Sequence, residues 1–378
     1  WISSVQSASC VDGWALGTLM SLPVFDVDLE QKPRARWHAV ASAYSAELQR
    51  LAAWQQQLAE AASKGGPRKR SKSGRRVSRA QAAELQVARF AAKEAGELLE
   101  RLSSRSGPCA ELVEELRGVA ASAGVAVEAL AMLSLQYEAY CACTAVIAPT
   151  DNGNLALART LDWEFPELKL LNVDVRVHRG KQLLYTATTW AGYIGMLTAQ
   201  RPGHFAAAVN FRERSADDVN VKVDSSSELP LPVGLAFRLA LERSSSYADF
   251  VEDIARMPCM APFYCMVASA AGDAVQITRT ERGELLRRQL NEEVTYLVQA
   301  NMDHWDTDPA HDTQESIVRC EIACQVLKSC MARGYVTESE LWAILWKYPI
   351  YEKGMTLYCT VMDPAAGSFR SLSEPPED

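Results

Sequence analysis

The run Cys141-Ala142-Cys143-Thr144-Ala145-Val146-Ile147-Ala148-Pro149-Thr150-Asp151-Asn152-Gly153-Asn154-Leu155-Ala156-Leu157-Ala158-Arg159-Thr160-Leu161-Asp162 is where this chain changes texture. Two strand-like arms of similar length flank Asn152-Gly153. Asn-Gly is a strong hairpin signal, because both residues tolerate the positive φ of a tight turn. A hairpin turning there brings Arg159 and Asp162 back to the neighbourhood of Cys143.

Upstream the pattern is helical. From Lys32 to about Leu135, Trp37, Val40, Tyr44, Leu48 and Leu51 recur at three and four residues, and 80–102 is rich in strong helix formers. Between these runs lies a basic, low-complexity insert, about 64–79, with eight Lys or Arg and no acid. It cannot bury itself and reads as a disordered, solvated loop; a localisation signal, a protease site and a contact with an anionic surface stay open.

Downstream, Leu171, Val173, Val175 and Val177 alternate with polar residues and predict a half-buried strand ended by Arg179-Gly180-Lys181. Further strands are expected at 183–190, 204–210, 264–268, 274–279, 295–300 and 356–362, and helices at 233–243, 247–255, 314–332 and 338–347. Strands and helices in long blocks predict a layered α+β body rather than a βαβ repeat. On one face of the 314–332 helix, Ile317, Cys320, Cys324 and Leu327 read as apolar core groups.

Composition narrows the function. The 378 residues carry a net charge of −8, and the basic insert hides a more acidic remainder, which argues against a nucleic-acid binder. No apolar run reaches the roughly 18 residues of a membrane span; the best, 119–137, carries Glu128. The chain begins at Trp1, which predicts a trimmed N-terminus. The ten cysteines include no CxxC, no metal-ligand spacing occurs, and there is no Asn-x-Ser/Thr sequon. GxGxxG, GxxxxGK[ST], GxSxG and HExxH are all missing, so no metal or cofactor is expected.

What remains is chemistry without an imidazole base. A chain cut just before a cysteine exposes an α-amine on the residue that carries the thiol. With an ordinary pKa of about 7.7–8.0, the amine can take the thiol proton. Cys143, between a helical Ala-rich segment and a strand, fits that demand or is a buried strand cysteine. Asp162 is placed to accept from the amine, and Arg159 to orient Asp162 or the thiolate; a surface ion pair is the bland alternative. Asn301 alone reads as a strand-end turn residue.

Cys143-Thr144, Ala148 and Ala158-Arg159-Thr160-Leu161-Asp162 resemble the mature N-terminus of the acid ceramidase and N-acylethanolamine-hydrolysing acid amidase group. That group is part of the choloylglycine-hydrolase-like branch of N-terminal-nucleophile hydrolases. The resemblance continues through Phe25-Asp26-Val27-Asp28-Leu29, Arg36-Trp37, Tyr137-Glu138, 190–198, 201–205, Val209-Asn210, Ala261-Pro262, Gln299-Ala300-Asn301, Asp303-His304-Trp305 and 357–363. It covers nearly everything except the basic insert.

The resemblance implies an αββα sandwich and self-cleavage between Ala142 and Cys143. An N-terminal helical α subunit, 1–142, then stays with a catalytic β subunit, 143–378. It implies Cys143 as nucleophile, Arg159 and Asp162 in support, Asn301 in the oxyanion hole and Asn210 beside it. It also implies a Cys10–Cys320 disulfide, and with it a lysosome-like or extracytoplasmic compartment. The expected substrate is a lipid amide, ceramide first and an N-acylethanolamine second, with peripheral membrane or micelle contact.

Trp190, Tyr193, Ile194, Met196 and Leu197 line an acyl channel or are plain core. Two departures stand out. Phe211 occupies the place of a family Glu, with Glu213 two residues on, and the family's arginine is replaced by Thr313 or Gln314. A bile-salt or penicillin-type amidase and a catalytically silent lipid-binding homologue are the alternatives.

Overall fold

The computed structural model describes residues 21–63, 94–136, 141–163, 165–213, 230–312 and 314–375. The basic insert, Tyr137, Glu138, Thr313 and Cys10 lie outside them. In chain order, β1 (Val24–Asp28) precedes α1 (His38–Ala43), α2 (Ser45–Ser63), α3 (residues 94–103), α4 (Pro108–Ala123) and α5 (Val127–Gln136). Then come β2 (Ala142–Pro149), β3 (Leu155–Asp162), β4 (Asn172–Arg179), β5 (Gln182–Trp190), β6 (Thr198–Arg201) and β7 (Phe205–Phe211). They are followed by α6 (Val233–Arg243), α7 (Tyr247–Arg256), β8 (Phe263–Ser269), β9 (Ala274–Arg279), β10 (Glu284–Gln289) and β11 (Leu297–Gln299). The chain closes with α8 (Ser316–Met331), α9 (Glu338–Leu345), β12 (Thr356–Asp363) and β13 (Ser368–Leu372).

The strands form an eight-stranded sheet, β1-β4-β5-β6-β7-β8-β9-β10, and a five-stranded sheet, β11-β2-β3-β12-β13. Strands β2 and β3 lie against β7 and β8, while α6 and α7 cover the larger sheet and α8 and α9 the smaller. This is an αββα sandwich. Strands buried on both faces read as near-continuous apolar runs, which is why β3, β7 and β8 carry so little alternation.

The N-terminal part is not purely helical. Its β1 pairs in parallel with β4, Val24 opposite Asp174, and so extends the larger sheet. Its helices share one apolar core with the sandwich, joining Trp37, Leu116 and Leu130 to Trp163, Trp190 and Tyr193. A polar knot reinforces that seam. The fully buried Glu115 of α4 accepts from Arg238 of α6 at 2.5 and 2.9 Å, from Arg36 at 2.7 Å and from Trp37 Nε1 at 2.7 Å.

Candidate active site

The hairpin forms as the sequence predicts, with Gly153 at φ +83° in the turn and Cys143 opposite Leu161. The period-2 alternation of strands then sorts the candidate residues. Cys143, Ala145, Arg159 and Leu161 share the face toward the larger sheet; Ala142, Thr144, Thr160 and Asp162 share the face toward α8. Strand β11 runs antiparallel to the other edge of β2, with Gln299 opposite Ala145, and this brings Asn301 level with Cys143.

On the inner face, Arg159 is completely buried and its Nη2 lies 2.9 Å from Cys143 Sγ. The same guanidinium donates to Val209 O at 3.0 Å, Thr198 Oγ1 at 2.6 Å and Tyr358 OH at 3.2 Å. These contacts hold it at the sulfur. Burial pushes the Cys143 thiol up, but the Cys141 thiol 3.8 Å away, the Arg159 charge and a backbone hydrogen bond from Phe211 pull it below the ordinary thiol value. Cys141 moves the other way, well above the usual range, through burial and its neighbouring sulfur.

On the outer face, the Asp162 carboxyl accepts from Thr356 Oγ1 at 2.6 Å and Thr160 Oγ1 at 3.1 Å. Burial pushes it up to about 6, partly offset by the charge of Arg319. Asp162 does not receive the Cys143 N–H. Sitting opposite Ala142, it points to the other side of the sheet. The Cys143 N–H is donated instead to Asn301 Oδ1 at 2.8 Å.

Asn301 lies beside Cys143. Its Nδ2 donates to Phe211 O at 2.8 Å, and its Oδ1 accepts from Arg319 as well as from Cys143. In the continuous chain it clamps the Cys143 main chain. Asn210 sits behind it, donating to Gln299 O and Ala300 O, and fixes the segment that carries Asn301.

The residue that sequence reading missed is Arg319. From the first turn of α8 it donates to Cys143 O at 2.6 Å, Thr144 Oγ1 at 2.9 Å and Asn301 Oδ1 at 2.8 Å. A guanidinium thus reaches the Cys143 carbonyl from a position a few residues beyond Gln314. The buried stripe of α8 is Ser316, Arg319, Ala323, Leu327 and Cys330, with Cys320 and Cys324 half-buried beside it. An arginine on an apolar helical stripe was the available signal.

No family model matches the chain. Individual proteins do. The N-acylethanolamine-hydrolyzing acid amidase of Rattus norvegicus is 25% identical over 364 residues, 94% of this chain and 90% of its own. The acid ceramidase of Bos taurus is 27% identical over 287 residues, 68% of each chain. These relatives, named acid amidase and acid ceramidase, support the resemblance read from the sequence. A solved structure of a Caenorhabditis elegans N-acylethanolamine-hydrolyzing acid amidase ortholog is 28% identical, with a TM-score of 0.49, covering 59% of this chain and 93% of that one.

The relatives are amide hydrolases, and the protein is a hydrolase acting on linear amides. The remaining candidates divide. Trp190, Tyr193, Ile194, Met196 and Leu197 are all buried in the core that joins the N-terminal helices to the sandwich. Trp190 stacks on Tyr193 at 4.5 Å and meets Trp163 edge-on at 5.5 Å. Glu213 is exposed just beyond β7. The half-buried Cys320 thiol is pushed up to about 11 by burial. The disulfide expected with Cys10 involves a residue outside the described ones. Among the described residues no cluster of His, Cys, Asp or Glu is arranged to hold a metal, and no helix is long and apolar enough to cross a membrane.

Proposed function

We propose that the protein is an N-terminal-nucleophile cysteine amidohydrolase that cleaves a lipid N-acyl amide through a thioester. The observation that carries this reading is the Cys143 sulfur, buried and 2.9 Å from a guanidinium, with its own main-chain nitrogen gripped by Asn301. In the continuous chain the sulfur attacks the Ala142 carbonyl carbon. Peptide nitrogen leaves as the Cys143 amine, and water hydrolyses the resulting thioester. The freed amine then serves as base. It takes the thiol proton, the sulfur attacks the substrate carbonyl, and the amine product departs with a proton. Water releases the fatty acid.

Arg159 stabilises the thiolate, and Arg319 with Asn301 holds the nucleophilic residue in register. The α and β segments stay together through the shared core and the Glu115 knot. Relatives of both names match at similar identity, which supports a lipid N-acyl amide of either class, ceramide or an N-acylethanolamine. Asp162 and Asp174, with carboxyls raised to about 6 and about 7, support work in an acidic, lysosome-like compartment.

The test is intact mass with N-terminal sequencing, followed by ceramide and N-acylethanolamine hydrolysis. Fragments of 142 and 236 residues are expected, the second starting at Cys143. The Cys143→Ala chain should stay whole and inactive. Activity from a chain still joined at 142–143 would overturn the mechanism.

A further inference from the structure

Cys141 is a buried thiol for which the mechanism above has no use, yet its sulfur lies 3.8 Å from that of Cys143. Cys141 directly precedes β2 and Cys143 is its second residue, and the two side chains turn toward each other across Ala142. Cys141 Sγ is also within 3.2 Å of Asp162 O and 3.5 Å of Ala142 O, contacts that keep it turned toward the strand rather than away. A disulfide needs sulfurs about 2 Å apart, so the pair has roughly 1.8 Å to close, within reach of side-chain rotation.

We propose that Cys141 and Cys143 form an oxidisable pair, in which Cys141 is the resolving thiol that converts an oxidised nucleophile into a reversible disulfide and silences hydrolysis. This rests on Cys143 being the attacking sulfur. Both residues are fully buried, so the oxidant has to be water-sized and uncharged; hydrogen peroxide is of that class. The Cys143 thiolate, stabilised by Arg159, attacks one peroxide oxygen. The O–O bond breaks, hydroxide leaves and takes up the thiol proton as water, and Cys143 becomes a sulfenic acid.

The Cys141 sulfur then attacks the Cys143 sulfur. The S–S bond forms, the S–O bond breaks, and the departing hydroxide carries off the Cys141 proton as a second water. Two thiols are oxidised and one peroxide is reduced. The disulfide stops oxidation short of the sulfinic and sulfonic acids, which a thiol reductant does not reverse. It forms in the continuous chain and, after cleavage at 142–143, also ties the end of the α segment to the nucleophile.

The experiment uses the full chain, fully reduced, exposed to graded hydrogen peroxide and then to dithiothreitol. Peptide mapping should find Cys141 joined to Cys143, with the peptide pair about 2 Da lighter than the free thiols. Hydrolysis of an N-acyl amide should fall at least about tenfold and return with dithiothreitol. Cys141→Ser and Cys141→Ala, each compared with its own reduced activity, should lose activity to the same peroxide and not recover it, with Cys143 carrying added oxygen.

Equal recovery in both variants, or no Cys141–Cys143 linkage in the unsubstituted chain, overturns the proposal. A linked pair with unimpaired hydrolysis overturns the silencing role in a different way. It leaves the modification site standing and removes Cys143 as the nucleophile.

Discussion

Glu115 and Cys143 are both fully buried beside an arginine, yet their chemistry diverges. Around Glu115, two guanidiniums and an indole N–H supply four hydrogen bonds to one carboxylate, and the group stays charged, below its ordinary pKa, despite complete burial. Around Cys143, the guanidinium is shared among a sulfur, a hydroxyl and two further oxygens, while the nearby Asp162 receives only hydroxyl donors to its carboxylate and rises to about 6. Burial alone does not separate structure from function. What separates them is whether each buried charge is fully compensated or left close to the pH at which protons move.

Breaking the compensated cluster should cost the most. Glu115→Ala leaves Arg238 only Glu242 and Arg36 only Glu111 as carboxylate partners, and about 3 kcal/mol of stability should disappear, measured by denaturant unfolding; Glu115→Leu with Arg238→Met should recover much of it. Arg159→Gln attacks the other cluster. Hydrolysis should fall about 100-fold, with the acid limb of the pH–rate profile moving to higher pH, because the thiolate loses its stabilising charge.

Buried carboxyls elsewhere in the molecule should differ in sign with pH. Asp174 accepts from Thr188 Oγ1 at 2.7 Å and is raised by burial to about 7. A raised carboxyl contributes stability that is complete below its unfolded value of about 3.9 and fades as pH climbs through 7. Asp174→Asn should therefore flatten the stability curve between pH 4 and 8 by on the order of 2 kcal/mol. Glu115, whose folded pKa is lowered, works in reverse. Its contribution is present above about pH 4.3 and fades as acid protonates it. The smallest effect belongs to Arg319→Gln, a roughly tenfold slowing of chain splitting and hydrolysis as Asn301 and the Cys143 carbonyl lose a shared donor.

Much of the fold is legible in the sequence where local chemistry is strong. Asn152-Gly153 announces the hairpin, β9 falls at 274–279 as expected, and α6 coincides with its apolar repeat over 233–243. The strands that escape notice are edges or short links. β1 and β10 end the larger sheet, β13 ends the smaller, and β6 has four residues. An edge strand is half solvated, carries polar residues such as Arg287 and Arg288 in β10, and shows no clean alternation. The aromatic run 190–197 reads equally as channel or core, since either use demands large apolar side chains.

The residue types in this chain determine by themselves the hairpin, the helical N-terminal part, the layered architecture, and a cysteine at a strand start with Arg159 and Asp162 returned beside it. Those outcomes follow from turn preference, hydrophobic period and alternation, all of them short-range. Only the tertiary structure decides that Arg159 meets the sulfur while Asp162 faces the opposite side, that Asn301 grips the Cys143 nitrogen, and that Arg319 enters from a helix more than 170 residues away. Pairing register and helix docking set those contacts, because a one-residue slip turns every side chain of a strand to the other face.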